Sequence, residues 1–103
     1  MTIGPDDLDD TTALTLDDVR ANIDEIDRRL VALVAERQRF VLAAGALKSD
    51  EQAVRAPARV EQVIAKVRGL AEEAGASPDV VERTYRALIA AFIDLELEAH
   101  REG

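Results

Sequence analysis

Along the first half of the chain, Val19, Ile23, Ile26, Leu30, Leu33, Arg37, Phe40, Ala44 and Leu47 follow one another at intervals of four and three. That alternation is the seam of an amphipathic α-helix written in heptads. Eight of the nine positions are apolar, and the ninth is Arg37. A guanidinium in such a seam brings five donors away from bulk water, which is costly unless an anionic group meets them. No proline falls within residues 16–48, so the pattern predicts one helix over that span, a rod of roughly 50 Å. Thr15 and Asp18 form a capping-box-like start, and Asp17 and Asp18 suit the positive end of the helix dipole. Two short helices of the same chain cannot cover so long a seam, and a second copy of the chain is the expected cover.

Residues 49–56 read as a connecting loop ending before Pro57, a residue suited to the first helical position. A second helix then carries Val60, Ile64, Val67, Ala71 and Ala74 and stops at Gly75. Ser77, Pro78 and Asp79 supply a cap, an N1 proline and an early carboxylate for a third helix. Its seam is Val81, Tyr85, Leu88, Phe92, Leu95 and Ala99, with Tyr85 and Phe92 expected in the core. The predicted fold is all-α: a three-helix chain, one helix long and N-terminal, that intertwines as a homodimer. Residues 1–14 are acidic and aperiodic and read as a flexible tail outside the helical domain of residues 15–103.

Composition narrows the function. The 103 residues suffice for one domain, and the net charge of −8 argues against nucleic acid as a partner. There is no cysteine, which fits a reducing, cytoplasmic setting, and no apolar run resembles a signal peptide or a membrane span. The single histidine, His100, sits near the C-terminus and reads as a surface residue, and the two serines have no partners for a nucleophilic triad. No spacing suggests a metal site or a phosphate loop. An enzyme built from this chain would therefore work without metal or cofactor, by positioning and fixed charge.

The cations can do that. Lys48 lies eleven residues after Arg37, close to three helical turns, so both point along one face and could converge on a small anion. Arg20 is seventeen residues before Arg37, about 25 Å along the same rod, and would reach such a site only from a partner helix. Arg59 is close enough to the loop to cover it. Each has a plainer reading: Arg20 and Arg59 as solvated surface residues, Arg37 as the ion-pair partner of Glu96 or Glu98, Lys48 as a counter-charge to the helix C-terminus. Glu96, beside the seam residue Leu95, can face inward or outward on spacing alone. Non-enzymatically, the same seam could serve a dimerisation or adaptor module in which Arg37 selects register.

The run Val19-Arg20, Ile23-Asp24, Ile26-Asp27 and Leu30 through Arg37, followed by Lys48, resembles the all-helical (AroQ-type) chorismate mutases over about residues 16–100. That resemblance implies an intertwined dimer with two sites, each drawing on both subunits, and a small dicarboxylate substrate. It implies that Arg20 enters from the partner subunit, Arg37 clamps a substrate carboxylate, Lys48 reaches the ether oxygen and a carboxylate, and Arg59 closes the site. Glu96 falls where many members carry a glutamine facing the ether oxygen and some a glutamate. The implied reaction, chorismate to prephenate, is pericyclic. It needs the compact conformer held and the charge developing on the ether oxygen stabilised, with no nucleophile.

Val60 and Ala56 depart from the polar residues that well-known mutases place near the substrate hydroxyl, and Phe92 replaces a small polar one. The stretch Ala56-Pro57-Ala58-Arg59-Val60 resembles the isochorismate-pyruvate lyases of the same superfamily. Isochorismate is thus an alternative substrate, and 4-amino-4-deoxychorismate a third.

Overall fold

A computed structural model describes residues 14–102. Four helices follow in order: α1 (Leu16–Ala46), α2 (Glu51–Arg55), α3 (Pro57–Ala74) and α4 (Pro78–Glu102). The chain divides after Arg37 into two compact units, and α1 belongs to both. The all-helical class expected from the sequence holds, and the acidic tail, up to residue 13, lies outside the described residues.

In the first unit, the Thr15 amide donates to Asp18 Oδ2 and the Asp18 amide to Thr15 Oγ1, each at 3.1 Å. This is the reciprocal cap read from the sequence. Along the unit the seam residues Ile23, Ile26, Leu30 and Leu33 are each at least 45% exposed in the single chain.

In the second unit α3 packs along α4, and α2 against α4. Val54, Ile64, Val67, Ala71, Phe92 and Leu97 are buried there, taken largely from the predicted seams. Phe92 is a core residue as expected, and Tyr85 is half-buried. Gly75, at φ 77°, closes α3, and the Ala76 amide donates back to the Ala71 carbonyl at 2.8 Å. Only a residue without Cβ adopts that left-handed turn at little cost. Ser77 Oγ then accepts from the Val80 amide at 3.3 Å to start α4.

Charged residues tie the outer faces of this unit. Arg68 bonds Asp79 and Glu82, while Arg86 bonds Glu82 and grips both oxygens of Glu61 at 2.9 Å. The Arg86 hydrogen bonds hold the carboxyls of Glu61 and Glu82 below the usual carboxylate range.

Two expectations need correction. The helix expected to reach Lys48 ends at Ala46. The Leu47 and Lys48 amides turn to the carbonyls of Ala44 and Gly45 at 3.1 and 3.2 Å, the tighter bonding that terminates a helix. Lys48 therefore follows α1 instead of continuing its face. The expected loop at residues 49–56 contains α2, because Asp50 Oδ1 accepts from the Ala53 amide at 2.8 Å and Val54 finds a buried place. Among the described residues the helices thus number four, with one little more than a single turn.

Between α2 and α3, Ala56 holds φ 35° and ψ 62° directly before Pro57. Left-handed backbone is unfavourable for alanine, and among the described residues no other non-glycine has a positive φ.

Candidate active site

Glu96 projects from α4 and is buried, with 7% of its surface exposed. A buried carboxylate needs a partner, and Lys48 provides it: Nζ lies 3.1 Å from Glu96 Oε2. Spacing alone left Glu96 undecided; the structure turns it inward and joins it to the lysine. Lys48 keeps 28% of its side chain exposed, and an ammonium has three donors, so bonding Glu96 does not exhaust it.

Lys48 is held at its other end as well. His100 Nε2 lies 3.2 Å from the Lys48 carbonyl oxygen and donates to it in the tautomer that carries hydrogen there. Glu96 and His100 are four residues apart on α4, hence neighbours on one face. The surface role expected for His100 is corrected: it is half-buried and holds the main chain of Lys48 while Glu96 holds the side chain. Sequence reasoning passed over it because a lone histidine near a chain end carries no spacing signal. Its position one turn beyond Glu96 was the available clue.

The other candidate cations are placed singly. Arg20 is exposed in the second turn of α1, and Arg37 is half-buried at the end of the first unit. Arg59 is exposed in the first turn of α3. Of the residues singled out in the sequence, Lys48 and Glu96 are brought within hydrogen-bond distance of each other.

Chemically, the pair offers a cation beside a carboxyl group in a partly dry place. It can neutralise an anionic oxygen, and a protonated carboxyl can donate to one. Among the described residues no group of three or more metal-ligating side chains is assembled, and no helix is long and apolar enough to cross a membrane.

The family model for chorismate mutase type II matches residues 19–97. The chain belongs to the type II chorismate mutase family. An isochorismate pyruvate lyase from Pseudomonas aeruginosa is 32% identical over 94 residues, covering 91% of each chain. The span matched to the type II chorismate mutase family takes in Arg20, Arg37, Lys48, Arg59 and Glu96. His100 falls beyond it.

Proposed function

We propose that this protein is a chorismate mutase that converts chorismate to prephenate by conformational restriction and electrostatic stabilisation. The observation that carries the reading is the Lys48–Glu96 pair, 3.1 Å apart and largely buried. Lys48 faces the ether oxygen, where negative charge develops as the bond to the ring breaks. A preorganised donor at such a point contributes about 10²–10³ in rate. Glu96 adds a second donor only while protonated; ionised, it opposes the developing charge.

By the family resemblance, Arg37 clamps a carboxylate of the substrate and Arg59 closes the site. The half-exposed seam of α1 supports a homodimer in which Arg20 of one subunit serves the site of the other. Holding the dianion in its compact conformer supplies the remaining acceleration by fixing the reacting carbons near each other. No nucleophile, metal or cofactor takes part.

A second reading has its own support. The similarity to an isochorismate pyruvate lyase over 91% of the chain, together with residues 56–60, favours isochorismate as substrate, with salicylate and pyruvate as products. The same cations serve either dianion. Separate incubation with chorismate and isochorismate, with product identification, tests both. Prephenate formed at the higher kcat/KM supports the mutase. Salicylate plus pyruvate formed more efficiently replaces it with the lyase, and inactivity on both rejects the two readings together.

A further inference from the structure

Gly45 is the buried residue of α1. Glycine inside a helix is disfavoured against alanine, and the flanking residues Ala43, Ala44 and Ala46 show that small helix formers are otherwise used here. No positive φ explains the choice: among the described glycines, the one with positive φ is Gly75. What explains it is room. A Cβ on Gly45 would stand 3.0 Å from Glu96 Oε2, 3.3 Å from its Cγ and 3.5 Å from its Cδ. Three atoms of one side chain rest on the bare backbone of α1, and the nearest is the oxygen that accepts from Lys48.

The geometry points to Gly45 as the positioning residue that sets where the Glu96 carboxyl stands, and through it the Lys48 ammonium. This rests on the reading of Glu96 and Lys48 as the groups facing the ether oxygen. Glu96 is buried and tethered, so it cannot swing aside as an exposed glutamate would. A methyl group at position 45 therefore displaces the carboxyl by a few tenths of an ångström, and the misplacement falls on the reacting centre. The effect belongs in kcat, since the carboxylate clamps assigned to the arginines are untouched.

The test is a double-mutant cycle of Gly45→Ala and Glu96→Ala, read by kinetics and by thermal unfolding. Gly45→Ala alone should lower kcat about tenfold with KM little changed, the scale expected of a small misplacement at a reacting centre. In the Glu96→Ala background the same substitution should leave kcat unchanged, because nothing remains for the methyl to displace. Unfolding gives a readout independent of catalysis. Gly45→Ala should raise Tm in the Glu96→Ala background, where helix propensity acts alone, and raise it less or lower it when Glu96 is present. Equal falls in kcat in both backgrounds, or equal Tm shifts, would overturn the positioning role. A fully active Glu96→Ala protein with the Tm coupling intact would instead leave the contact standing and remove the catalytic reading of Glu96. Should Gly45→Ala alone fail to fold, a folded double variant still reports the coupling, and an unfolded one refutes it.

Discussion

The two units of this chain carry the same four-three pattern and meet different fates. In the second unit the seams of α3 and α4 close on each other, and Ile64, Val67 and Phe92 are buried. In the first, Ile26, Leu30 and Leu33 follow the same rule and remain about half exposed in the single chain. Periodicity therefore states that a face is to be covered without stating by what. Charge divides them too: in the second unit ion pairs such as Arg86–Glu61 and Arg68–Glu82 join separate helices, whereas in the first Arg28–Glu25 lies within one helix and Arg37 occupies a seam position.

The comparison can be broken at Leu30. If a second copy covers the seam, Leu30→Asp buries a charge in it and should raise the dimer dissociation constant about a thousandfold or more, with activity lost in parallel. Analytical ultracentrifugation decides, and an unaltered association state ends the dimer proposal. Next in size is Arg37→Ala, expected to lower kcat/KM on the order of 10³-fold while leaving the dimer folded. A fully active variant would remove Arg37 from the site. In the second unit Ile64→Ala should cost about 2–5 kcal/mol in urea unfolding, equally at low and high protein concentration. Loss at Leu30, in contrast, should depend on concentration.

Smaller effects sharpen the picture. Glu96→Gln should keep most of the activity, since an amide can donate to the ether oxygen, whereas Glu96→Ala should lose it. Equal losses of kcat in the two variants would refute the donor role. The smallest change belongs to Arg86→Met. Glu61 and Glu82 titrate below the ordinary 4.5 when folded because Arg86 bonds them. Their stabilisation is therefore present above that pH and disappears as pH falls through their folded values. The variant should show a slight Tm deficit near neutrality that vanishes in acid, because such exposed pairs are weak.

What could be read in advance was what neighbours in sequence decide. The Thr15–Asp18 cap, the Gly75 stop and the Ser77-Pro78 start each depend on residues within four positions, and each is found where the spacing put it. The helix end at Ala46 and the turn of α2 were missed because the Asp50 cap competes with continuation of α1 and Val54 is drawn into the core. Glu96 could not be oriented from spacing, since Lys48 is 48 positions away. Gly45 gave a signal that passed unread: a glycine among alanines, three residues before the lysine.

The bend at Ala56 has a consequence for recognition. A left-handed alanine followed by a proline leaves the chain few alternative paths between α2 and α3. The direction in which α3 departs, and with it the placement of Arg59 in its first turn, is set by the fixed φ of Pro57 and by surroundings that hold Ala56 in a conformation its own backbone disfavours. The conformational freedom of that stretch is surrendered when the protein folds. If Arg59 closes the site as proposed, little of that freedom remains to be lost on binding an anion, and the elbow preorganises a charged side chain that is itself open to solvent.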